Sequence, residues 1–157
     1  MSEPVAPSGS QLSLGRQREL EADCQRVLLS VFRDLDEFDY QRVVGHFAED
    51  GLWRREGLDL NGRAQILANL EQRPRKQVVR HLISNLIVEV QAQFNARASG
   101  YNTVFRAFGA AGNTGAQLPA TINAPLGLWV LEAKLVCFRD VWLITELRQQ
   151  QQFAFSQ

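Results

Sequence analysis

The spacing of hydrophobic positions changes once along the chain, near residue 78. Before that point the period is helical. Over residues 16–35 the apolar side chains Leu20, Cys24, Val27, Leu28, Val31 and Leu35 recur three or four positions apart, which predicts a helix with one buried stripe. Asp39 is placed to cap a second helix, with Tyr40, Val43, Val44 and Phe47 on one face and its end near "EDG". "GLWRREG" reads as a short strand or a turn. Asn61 can cap a third helix carrying Ile66, Leu67 and Leu70, which Pro74 stops. After Val78 the period falls to two and β-branched and aromatic residues multiply, predicting strands at residues 78–90, 94–108, 126–138 and 141–153. Arg139 and Asp140 are left as a tight hairpin turn between the last two. Helices followed by antiparallel strands predict an α+β domain, with helices covering one face of a curved sheet that readily encloses a pocket.

Two segments escape both periods. Residues 1–12 are rich in Pro, Ser and Gly and are expected to be a disordered leader, leaving residues 13–157 as a single domain. Residues 109–125 are rich in small residues and long for a connection. They are expected to move and to cover part of the pocket mouth.

Composition narrows the function. With 157 residues, 45% of them hydrophobic, the chain can bury one sizeable core. Seventeen basic residues balance seventeen acidic ones, so no field is expected that would hold nucleic acid or a membrane surface. The first residues lack the apolar run of a signal peptide, and no segment approaches the roughly 20 apolar residues of a membrane span, so a soluble cytoplasmic protein is expected. Cys24 and Cys137 match neither a disulfide framework nor metal-ligand spacing and read as reduced core thiols. His81 has no His or Cys at ligand spacing, and no glycine-rich turn opens a helix, so neither metal, nucleotide nor other cofactor is expected.

The candidate chemistry lies in "VVRHLISNLIVEV". Strand alternation puts Leu82, Ser84, Leu86, Val88 and Val90 on one face and His81, Ile83, Asn85, Ile87 and Glu89 on the other. Apolar walls with a few polar groups suit a small-molecule cavity. Strand alternation alone favours the plainer reading, in which His81 is a satisfied core or rim histidine and Glu89 a solvated strand end. Asp36 is the second oddity. It falls where the first helix should end, against the negative end of the helix dipole, a placement that costs about 0.3–1 kcal/mol and calls for compensation. The competing reading is an acidic interhelix turn with Asp36 exposed. His46 reads as a surface residue, and Trp129 and Trp142 as a shared face of the last hairpin.

The order of these elements, with "LDEFDYQRVVGHFAEDGLWRREGLDLNGRAQI" followed by "RHLISN", resembles the SnoaL-like branch of the nuclear transport factor 2 superfamily over residues 16–153. The resemblance implies a cone-shaped α+β barrel, in which three N-terminal helices close a strongly curved, mainly antiparallel sheet around a pocket. Members include ketosteroid isomerase, scytalone dehydratase, polyketide cyclases and the small subunits of ring-hydroxylating dioxygenases, so the fold alone chooses no reaction. Asp36 and His81 match the acidic residue and strand histidine of the scytalone dehydratase type. Leu35, however, stands where that enzyme has a tyrosine, and "ARASGYNTVF" has no second histidine. Ketosteroid isomerase carries its base in the strand after "DG", where this chain has Arg54, Arg55 and Glu56.

The expected function is a cofactor-independent isomerase, dehydratase or cyclase acting on an apolar, oxygenated ring compound. His81 and Asp36 are its acid/base pair, since the reference pKa of histidine, about 6.5, lies near working pH. Tyr40, Trp53, Ile83, Asn85, Tyr101, Phe105 and Trp129 are the expected substrate contacts. A homodimer is expected. The alternative is a noncatalytic subunit beside a large oxygenase partner, or a ligand-binding module.

Overall fold

The structure, a computed structural model, describes residues 12–55, 57–109 and 118–155. Residues 1–11 of the expected leader, Glu56 and residues 110–117 of the expected mobile segment lie outside the described residues.

Ser13 opens α1 (Leu14–Asp36) by accepting the Arg16 N–H at 3.2 Å. Leu20, Cys24, Leu28, Val31, Phe32 and Leu35 form its buried stripe and pack toward the sheet. Each such side chain contributes about 1.5–3 kcal/mol by leaving water. Asp39 caps α2 (Tyr40–Gly45), its carboxylate accepting the Arg42 N–H at 3.3 Å. The helix is shorter than its spacing predicts, because Phe47 pairs with Ile144 and stacks on Trp53, drawing the chain into β1 (Phe47–Arg55). Gly57, with φ of 71°, returns the chain into β2 (Leu58–Asn61), a strand too short for its alternation to register in the sequence. Asn61 precedes α3 (Gly62–Glu71), but its side chain makes no cap; its N–H instead donates to the Gln65 side chain at 2.9 Å.

The remaining strands are β3 (Gln77–Ala92), β4 (Asn95–Phe108), β5 (Gly127–Phe138) and β6 (Val141–Ala154). The sheet order is β2-β1-β6-β5-β4-β3, antiparallel at every pairing except the parallel β1–β6 contact. It is open, with β2 and β3 at its edges. Arg139 and Asp140, at φ of 50° and 62°, make the two-residue turn between β5 and β6, as the positive φ of a type I′ turn requires.

One irregularity corrects the strand-face assignment. Ser84 faces Tyr101 and Ile87 faces Ser99, so β3 advances three residues while β4 advances two. The extra residue is a bulge, with Asn85 at φ of 51°. Before it, Val79, His81 and Ile83 face inward; after it, Leu86, Val88 and Val90 do. Asn85, Ile87 and Glu89 are therefore exposed rather than on the face of His81, because one inserted residue exchanges the two faces of a strand. Gly100 lies opposite, where a Cβ would stand 3.1 Å from the Ser84 carbonyl oxygen and 3.3 Å from the Leu86 Cα.

Candidate functional site

Asp36 is the last residue of α1, and two turns of chain chemistry meet there. Helix α1 ends with Phe38 in the left-handed region at φ of 61°, its N–H on the Leu35 carbonyl and the Asp39 N–H on the Asp34 carbonyl at 2.9 Å. This is a Schellman cap, in which glycine normally takes the place of Phe38. A bulky side chain in this region is strained. Contacts hold it: Arg73 and Arg75 lie over the Phe38 ring at 5.7 and 5.6 Å. Arg73 also donates to the Leu35 carbonyl at 3.1 Å, setting a positive charge against the negative end of the α1 dipole.

Both oxygens of Asp36 are engaged by one residue. Oδ2 accepts the His81 backbone N–H at 3.0 Å, and Oδ1 lies 2.5 Å from His81 Nδ1. Both side chains are nearly buried, and Phe32 covers the imidazole with ring centroids 5.4 Å apart. Hydrogen bonds to a charged group contribute about 1.5–3 kcal/mol each, more than the dipole cost of placing a carboxylate here. The grip fixes the ring. With Nδ1 directed at the carboxylate, Nε2 has no partner among the described residues and is the nitrogen left for a ligand.

His81 borders a cavity of about 380 Å³ between the inner sheet face and the helix ends. Its apolar wall is formed by Leu35, Leu70, Val79, Val104, Leu126 and the indoles of Trp53 and Trp129. Its polar wall has Gln77, Asn102, Gln149 and Gln151, with Arg55, Arg73 and Arg106. Trp53 is fixed by donating Nε1–H to Gln149 at 3.0 Å. Asn102 is fully buried, and neither atom of its amide has a hydrogen-bond partner among the described residues. Leaving such an amide unpaired costs about 1–3 kcal/mol, which favours a ligand that would satisfy it. A second concavity, about 470 Å³, lies on the outer sheet face. Most of its charges pair across the strands, Lys134 with Glu146 at 2.6 Å and Arg148 with Glu132 at 3.9 Å, so it reads as a solvated face. Among the described residues no cluster of three or more His, Cys, Asp or Glu could hold a metal ion. No described helix is long and apolar enough to cross a membrane.

The model of the SnoaL-like domain family matches residues 16–148. The chain belongs to the SnoaL-like domain family. No curated protein matches it by sequence. Solved structures share its nuclear transport factor 2-like, cystatin-like fold. A Novosphingobium aromaticivorans protein provisionally described as a scytalone dehydratase is 12% identical, covers 91% of this chain and 91% of its own, and superposes with a TM-score of 0.72. ActVI-ORFA from Streptomyces coelicolor is 21% identical over 83% of this chain and 96% of its own, with a TM-score of 0.67. A Catenulispora acidiphila protein in complex with S-DNPA is 19% identical over 85% and 95% of the two chains, at 0.66. Identities this low carry the fold alone.

Within this SnoaL-like domain the expected contact residues separate. Trp53 and Trp129 line the cavity with His81. Ile83 lies on the far side of the dyad, beside Phe32 and Asp36. Tyr40 is buried under the Arg75 guanidinium, 5.1 Å from its ring, and is not among the cavity residues. Tyr101 is exposed, and Phe105 shares its outer parity on β4, whereas Asn102, Val104 and Arg106 face in. His46 is not a plain surface residue: its Nε2 meets the buried Asp34 carboxylate at 2.8 Å. The sequence reading missed Asn102, Arg55 and Arg73. A lone asparagine in the inward row Ala96, Ala98, Asn102, Val104 was the available signal for the first.

Proposed function

We propose that this SnoaL-like protein is a cofactor-independent acid/base enzyme that isomerises, dehydrates or cyclises an apolar, oxygenated ring compound. The observation that carries the reading is the oriented imidazole of His81, held by Asp36 at the wall of a cavity with one apolar and one polar side. His81 Nε2 takes a proton from carbon next to a carbonyl, or returns one to a departing oxygen. Asp36, with both oxygens committed to His81, fixes the tautomer and stabilises the imidazolium as it forms. Trp53 and Trp129 flank the ring body, and the Asn102 amide donates to or accepts from the substrate oxygen.

Proton abstraction can be read without the natural substrate, as deuterium uptake next to the carbonyl of a bicyclic ketone such as 2-tetralone, followed by NMR in heavy water. The protein is expected to accelerate uptake over buffer, and His81→Ala to lower that rate by about 10²-fold or more. Asp36→Asn is expected to cost nearly as much, and the double variant little beyond the worse single one, because the two residues act as a unit. Uptake no faster than in buffer across a set of cyclic ketones, or unchanged in His81→Ala, removes the enzyme reading. A large oxygenase subunit recovered in stoichiometric amount from the native host favours the subunit role instead.

A further inference from the structure

The cavity wall carries charge that the described residues do not balance. Arg55, Arg73 and Arg106 border it, and no aspartate or glutamate is among its described lining residues. Several arginines elsewhere in the fold, though not all, have carboxylate partners. Arg54, the neighbour of Arg55 facing the other way, lies 3.5 Å from Asp59 and 3.0 Å from Glu146, and Arg63 lies 3.3 Å from Glu49. The Arg55 side chain makes no hydrogen bond or ion pair to any described residue; its guanidinium rests over the Trp53 indole at 5.5 Å. Arg55 is in contact with solvent and also borders a shallow concavity with Asp59, yet the groups packed around it strip enough hydration to lower its pKa, and repulsion from Arg73 lowers it further. Arg73 uses a donor on the Leu35 carbonyl and makes no ion pair among the described residues. Like charges gathered around a concavity repel one another and lose solvation, and an anion between them relieves both costs. The unpartnered buried amide of Asn102 belongs to the same wall and independently indicates a polar ligand.

We infer that the cavity takes an amphiphilic carboxylic acid, its ring body between Trp53 and Trp129 and its carboxylate held by the guanidinium groups of Arg55 and Arg73. The inference rests on the reading of this cavity as the substrate site and names the charged group of that substrate. A planar guanidinium fork matches a carboxylate through two parallel hydrogen bonds, which lysine cannot do. A volume of about 380 Å³ suits a compound of one or two rings. An anchor away from the reacting carbon would set that carbon against His81 Nε2, so that binding energy is used for orientation.

The test compares 2-naphthoate with its neutral isostere 2-naphthamide, using calorimetry or quenching of tryptophan fluorescence. The wild-type protein is expected to bind the acid at least about tenfold more tightly than the amide, a ratio worth about 1.4 kcal/mol, with the preference shrinking as salt is added. Arg55→Gln together with Arg73→Gln should abolish the preference while leaving the amide bound, and Arg55→Lys should retain part of it. Should the Arg73 variant fail to fold for want of its contact with α1, Arg55→Gln alone, which removes no hydrogen bond within the described residues, must still reduce the preference. His81→Ala should keep the preference even though it stops deuterium uptake. Equal binding of acid and amide overturns the inference, as does a preference that survives loss of both arginines. A preference lost in His81→Ala but kept in Arg55→Gln would move the anion to the imidazole and also overturn it. If neither probe binds, the cavity is no ligand site and the enzyme reading falls as well.

Discussion

Asp34 and Asp36 are buried in the last turn of α1, and each engages one of the two histidines in the chain. The pairs do different work. Asp34 draws in His46, which closes α2, with Arg42 3.7 Å away, so this pair fastens one helix end to another. Asp36 draws in His81, which alone of the two histidines borders the cavity. Cys24, further up the same stripe, shows what burial does to a group without a partner. Loss of hydration, reinforced by the charges of Asp23, Cys137 and Glu21, pushes its thiol up to about 12 from 9.0. Between those values the unfolded thiol has lost its proton and the folded one retains it, so unfolding releases protons. The contribution to stability is therefore complete below pH 9 and disappears as pH rises toward 12. Urea unfolding at pH 8 and pH 11 checks this: wild type should lose more stability between them than Cys24→Ala, and equal losses would count against it.

At the scale of elements, the bulge in β3 decides which side chains the cavity receives. Gly100 makes room for it, and Gly100→Ala, pressing a methyl group on the Ser84 carbonyl oxygen and the Leu86 Cα, should destabilise by about 1–3 kcal/mol. A denaturation midpoint equal to wild type would show that the two strands yield freely. The same bulge marks the limit of what the chain discloses by pattern. Helical spacing and strand alternation revealed α1, α3 and the four long strands, because each holds a long apolar face. Asp36 was legible as a carboxylate at odds with its helix dipole, and His81 as a polar residue in an apolar strand. Asn85 was misassigned, since an inserted residue leaves alternation on both sides intact while exchanging their faces. The place of Arg55 and Arg73 at the cavity was invisible for another reason: it comes from bringing the end of β1 beside the segment after α3, which no local pattern records.

For the whole molecule, the outer sheet face is the next surface to account for. Leu82, Thr103, Leu128 and Phe153 lie in register across four strands, with Tyr101 and Val130 in the adjacent row. Leu82, Tyr101 and Phe153 are exposed. An apolar row of this kind is suited to self-association about a twofold axis. Sedimentation at micromolar concentration is expected to give a dimer and Leu82→Glu with Tyr101→Glu a monomer; a monomeric wild type would end that expectation. The opposite problem arises at the β3 edge, where no further strand among the described residues satisfies its outward donors. One of those donors, the His81 N–H, already belongs to Asp36. The carboxylate that orients the imidazole thus also bars this point of the edge to a strand from a neighbouring chain, the route by which open sheets aggregate. One carboxylate does two jobs, Oδ1 orienting the ring and Oδ2 occupying the edge donor, so a single substitution at Asp36 would undo both.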